Sequence, residues 1–116
     1  MENSKTGDLL LYTTHGFFPR VTRGATNSNY DHVGMVVKSI NKSDPQDQVY
    51  IFEAVGDAGV RICDWKDVRE DVGRQEDGKA FSNIVYRSVD FNREDNLTHL
   101  YRFFRDHLGK DYGLSI

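Results

Sequence analysis

The stretch Tyr30-Asp31-His32-Val33-Gly34-Met35-Val36-Val37 decides how this chain is read. Polar residues Thr26-Asn27-Ser28-Asn29 lead into it, and the run after His32 is apolar and rich in β-branched side chains. That is the pattern of a loop feeding a strand that begins near the histidine. The first side chain of a strand lies at the rim of a sheet, where an imidazole titrates near neutral pH while its neighbours hold it. His32 is therefore the first candidate for chemistry.

The next apolar run, Val49-Tyr50-Ile51-Phe52-Glu53-Ala54-Val55, reads as a strand that follows a polar surface hairpin loop over Asn41 to Gln48. Strand alternation puts Val49, Ile51, Glu53 and Val55 on one face, so Glu53 is a carboxylate in an apolar row and needs a partner. On the preceding strand, His32, Gly34 and Val36 share a face. If Gly34 pairs with Glu53, the carboxylate lies diagonal to His32 and within reach of its ring; a slip of one residue separates them. The long polar loop leaves both registers open.

The rest of the chain supplies the remaining layers. Thr6-Gly7-Asp8-Leu9-Leu10-Leu11-Tyr12 turns into a strand apolar enough for the interior of a sheet. His15 to Arg20 reads as a loop with one helical turn after Pro19. Gly56-Asp57-Ala58-Gly59 turns the chain into a strand over Val60 to Cys63, completing a three-strand meander. Asp64 is a candidate cap for a short helix, Trp65 to Glu70, with Trp65 and Val68 inward; Asp71 to Lys79 reads as a flexible, charged connection, and Ser82 to Val89 as a fifth strand. From Asn92, Leu97, Leu100, Tyr101, Phe104 and Leu108 recur at helical spacing, with Glu94 and Asp95 in the first turn and Gly109 at the C-terminal cap. The expectation is one α+β domain over residues 1–116: an antiparallel sheet of about five strands with a meander core, packed on one main C-terminal helix and short helices.

Composition narrows the function. At 116 residues the chain has room for one core. Eighteen acids against 15 bases give a net charge of -3, with no basic stripe, so nucleic acid is excluded as the expected partner. The first residues lack the pattern of a signal peptide, and no apolar run approaches the length of a membrane span. A single cysteine, Cys63, excludes an internal disulfide and fits a reducing, cytoplasmic location.

Gly7-Asp8-Leu9-Leu10-Leu11-Tyr12, the Asn/Ser-rich loop into Tyr30-Asp31-His32-Val33-Gly34-Met35-Val36, then Phe52-Glu53-Ala54 and Gly59-Val60, together resemble the N-terminal portion of circularly permuted NlpC-type papain-fold proteins. YiiX-like hydrolases and lecithin-retinol acyltransferase-like enzymes belong to that group. The likeness runs from Gly7 to about Val60 and is weaker beyond. It implies an antiparallel sheet on helices, with His32 as general base and Glu53 as the polar residue that orients it. It also implies a nucleophilic Cys that comes last, at the start of a helix after a segment like Asp111-Tyr112-Gly113, so that the nucleophile would lie beyond Ile116. The expected substrate is a peptide or lipid with an amide or ester bond, and the fold would be completed by a further C-terminal segment or a protein partner. A noncatalytic module that binds a peptide, lipid or protein is the alternative.

The remaining candidates are weighed against that pair. Tyr12, Tyr30, Gly34 and Tyr112 are expected to line a substrate groove, Gly34 because it lets a substrate or backbone approach closely. Cys63 stands before Asp64, whose charge raises a thiol pKa, so it reads as a half-buried structural residue. His15 reads as a solvated loop residue, and His99 and His107 as surface residues of the last helix. Asp31, His32, Glu53 and Asp57 lack the tight spacing of metal ligands, so neither metal nor cofactor is expected.

Overall fold

The computed structural model describes residues 1, 3–26, 28–38, 49–55 and 59–109. The expected hairpin loop over 41–48, the turn residues 56–58 and Tyr112 lie outside the described residues. Five strands, β1 (Leu9–Thr14), β2 (His32–Lys38), β3 (Val49–Val55), β4 (Gly59–Asp64) and β5 (Phe81–Arg87), form one antiparallel sheet in the order β4-β3-β2-β1-β5. Strands β1 to β4 are a meander, and β5 returns to the free side of β1, which places β1 inside the sheet. The α+β expectation holds.

Alternation sorts the side chains into two faces. One carries Leu10, Tyr12, Val36, Val49 and Ile51, which with Val68 of the short helix α2 (Trp65–Glu70) form the buried core; Trp65, Phe81 and Cys63 pack against it. The other face is partly covered by α3 (Arg93–His107), whose Phe104 ring lies 4.7 Å from Phe52, while Val33 and Ile62 on that face stay exposed. Asn92 caps α3 by accepting from the Asp95 N–H, Glu94 and Asp95 fill its first turn, and Gly109 follows with φ +79°. Phe104 is buried, whereas Leu108, placed on the same apolar stripe by its spacing, is 44% exposed, as is its neighbour Phe103 at 49%. At the short helix, Asp64 precedes α2 without a side-chain capping hydrogen bond.

Two segments depart from the sequence reading. The stretch read as a loop is a helix, α1 (Phe17–Thr26). Pro19 falls in its first turn, where the missing N–H has no intrahelical partner to lose, and the Arg23 guanidinium ties the helix back by donating to Thr14 O and to the Asp31 carboxylate. The connection read as flexible is held in place. Asp71 accepts the Ala80 N–H, Gly73 N–H donates to Phe81 O, and His15 donates through Nε2 to Gly73 O at 2.7 Å. His15 is thus a structural tie, not a solvated loop residue.

Candidate functional site

The β2–β3 register pairs Gly34 with Glu53, the alternative that unites the two candidate residues. His32 Nε2 lies 2.8 Å from Glu53 Oε2. A carboxylate only accepts, so the contact fixes the proton of the neutral ring on Nε2 and leaves the Nδ1 lone pair open; among the described residues Nδ1 has no hydrogen-bond partner. Tyr12, opposite His32 on β1, packs at a tilt against the imidazole at 4.9 Å between centroids, so the ring is held on two sides.

Glu53 is 4% exposed and would be costly to bury alone. Arg61, directly opposite on β4, donates to Glu53 Oε1 from Nε at 3.1 Å and from Nη2 at 2.9 Å. Burial pushes the Glu53 carboxyl up, but hydrogen bonds from His32 and Arg61, with the charge of Arg61 and that of His32 once acid has protonated it, outweigh it and hold the group below its usual range. The sequence reading passed over Arg61. The signal was present, since a strand residue of opposite charge facing Glu53 across a short turn is the simplest partner for a buried carboxylate.

Cys63 lies on the same face, its Sγ 3.5 Å from Glu53 Oε1 and 3.7 Å from Ile51 O. Burial first, then the Glu53 charge and hydrogen bond, push its thiol up to about 12. A thiol so protonated beside a carboxylate is a poor nucleophile.

The groove expectations divide. Tyr12 is fully buried, so it is a core residue and does not wall an open groove; burial and the nearby Glu53 charge push its phenol well above its usual value. Above Gly34 the space is taken by Ile51 and Tyr12, so the absent side chain admits this protein's own core and not a substrate. Tyr30 is half-buried just before β2. Of the remaining histidines, His99 is exposed and His107 stacks on Phe103. Among the described residues no three His, Cys, Asp or Glu side chains group as metal ligands, and no helix is long and apolar enough to cross a membrane.

Compared with known protein families, curated proteins and solved structures, the chain shows no match.

Proposed function

We propose that His32 and Glu53 are the base and orienting acid of a thiol hydrolase or acyltransferase site of the permuted papain type, acting at an amide or ester carbonyl of a peptide or lipid. The observation that carries this reading is the direction of the imidazole. Its Nε2–H is committed to a buried carboxylate while Nδ1 keeps an open lone pair. In such a site Nδ1 takes the proton of a thiol, the thiolate attacks the carbonyl carbon, and Glu53 stabilises the imidazolium until it returns the proton to the leaving group. Water or an acceptor nucleophile then releases the acyl group from sulfur.

The resemblance of Gly7-Asp8, His32-Val33-Gly34 and Glu53-Ala54 to that family supports the same roles. The reading calls for a nucleophilic cysteine other than Cys63, the single cysteine of the 116 residues, supplied by a further segment of the protein or by a partner. Cys63 does not serve, because its S–H points to Glu53 and Ile51 and its thiol is held protonated. A cytoplasmic, reducing setting suits a mechanism that needs a free thiol.

The test is alkylation of the protein isolated from its native source with a limiting amount of iodoacetamide at pH 7, followed by peptide mapping. The expected result is preferential labelling of a cysteine other than Cys63, slowed at least tenfold by His32→Ala. Labelling that ignores His32, or a protein in which no thiol reacts faster than Cys63, overturns the enzymatic reading and leaves a binding module.

A further inference from the structure

The two oxygens of Glu53 are used differently. Oε2 faces His32, while Oε1 takes both Arg61 donors and lies against the Cys63 thiol. We propose that Arg61 is the positioning residue of the His32–Glu53 pair: by holding Oε1 with two N–H donors from the neighbouring strand, it turns Oε2 toward Nε2 and so sets the ring with Nδ1 open. This inference rests on the base role proposed for His32.

The argument is one of geometry and charge balance. Glu53 and Arg61 are directly opposed on β3 and β4, so the guanidinium approaches from the side away from His32. Two donors of one planar guanidinium converge on Oε1 and anchor that oxygen at two points, which a single flexible ammonium does not reproduce. With Arg61 in place, the buried anion already has a cation, and a neutral imidazole completes its hydrogen bonds. Without it, His32 is the cationic partner left within reach of the buried anion, which favours the imidazolium, and an imidazolium has no lone pair with which to accept a proton. The other groups that face this cluster are Tyr12 from β1 and Cys63 from β4, both pushed toward their neutral forms, so neither substitutes for the Arg61 charge. The Asp31 carboxylate, next to His32 in the chain, is engaged by Arg23 and the Thr14 N–H.

Arg61 is half exposed, with a side-chain exposure of 50%, so replacing it opens no cavity in the core. The experiment is an NMR titration of the His32 ring, with nitrogen shifts to report the tautomer, in the unaltered protein and in Arg61→Gln, Arg61→Lys and Glu53→Gln. Arg61→Gln is expected to raise the His32 midpoint by about one pH unit or more. Arg61→Lys, which keeps the charge and loses the fork, is expected to restore most of the midpoint but to weaken the preference for Nε2–H. A His32 midpoint and tautomer that are the same in Arg61→Gln as in the unaltered protein overturn the role of Arg61. The Glu53→Gln arm separates this from the reading beneath it. If that change moves His32 and the Arg61 changes do not, only the positioning role fails; if Glu53→Gln also leaves His32 unmoved, the His32–Glu53 pair itself fails.

Discussion

Gly34 of β2 stands directly opposite Glu53 of β3, and that pairing sets the carboxylate 2.8 Å from the imidazole of His32, two residues upstream. The glycine is also a packing requirement. A Cβ at Gly34 would sit 2.6 Å from Ile51 Cγ2 and 2.9 Å from Tyr12 Oη. Both neighbours are fully buried and have no room to retreat. Gly34→Ala is expected to destabilise the protein by about 1–3 kcal/mol through overpacking. It should also disturb the His32 titration, because Tyr12 packs on the same ring. Urea denaturation checks the first effect and NMR the second. An unchanged unfolding midpoint would mean that the close approach is not real.

Acid should weaken the fold through the same carboxylate. Glu53 is held below its usual range in the folded protein, so its contribution is fully present above the unfolded value near 4.5 and is lost as pH falls through the lower, folded one. Asp8 shifts in the same direction: burial raises it, but the Tyr86 hydroxyl, the Val89 and Lys5 N–H groups and Arg93 lower it more. Glu53→Gln is therefore expected to be less stable than the unaltered protein at pH 7, by about 3–5 kcal/mol if the buried pair is fully broken. The gap should shrink as pH drops below about 4. Urea midpoints of both proteins at pH 7 and pH 3 decide it. A gap that stays constant would show that Glu53 is not ionised in the folded state at pH 7.

Much of this was legible in the sequence. Alternation in Val49 to Val55 marks Glu53 as an intruder in an apolar row, and the run from His32 marks where β2 begins. The ends of α3 could be read from Asn92 and Gly109, because capping is local chemistry. What stayed open was what depends on distant partners. The register across the long polar loop is set by packing of Ile51, Tyr12 and Gly34, which no local signal encodes. Pro19 and Gly24 are poor helix formers, and α1 is held by Arg23 reaching Asp31 and Thr14, a tertiary contact. The same limit explains Tyr12. An aromatic residue in an interior strand is either a groove wall or core, and only the pairing of β5 beside β1, which brings the Phe81 ring 4.8 Å from Tyr12, decides for core.

Cys63 offers a check that is independent of turnover. With its thiol pushed up to about 12, against an ordinary value of 9.0, the thiolate fraction at pH 8 falls by roughly a thousandfold. Iodoacetamide at pH 8 should label Cys63 far more slowly in the folded protein than in urea, by more than half-burial alone explains. Glu53→Gln removes the adjacent negative charge and should speed the reaction. A folded-state rate close to that in urea, or one indifferent to Glu53→Gln, would place the thiol away from the carboxylate.

Asp8 is the buried charge on which docking of α3 depends. Its carboxylate accepts from the Lys5 and Val89 N–H groups, from the Tyr86 hydroxyl and from Arg93 Nη2 at 2.6 Å, while its main chain pairs with Val36 of β2. One side chain thus joins the turn before β1, the end of β5 and the first residue of α3. Gly7 beside it has φ +97°, and a Cβ there would meet the Phe91 ring at 2.6 Å. The Gly7-Asp8 pair is explained by this junction, without a part in chemistry at His32. Asp8→Ala leaves the Tyr86 hydroxyl and the part-buried Lys5 and Val89 N–H groups without their acceptor and leaves Arg93 with only the Thr6 and Val89 carbonyls, and is expected to cost about 3–5 kcal/mol. Asp8→Asn keeps the shape and one acceptor oxygen but loses the charge that faces Arg93, so it should cost less. The readouts are the urea midpoint and amide exchange in α3, which should accelerate in Asp8→Ala before the sheet amides do. Equal acceleration throughout would mean that Asp8 supports the whole fold and not the α3 junction in particular.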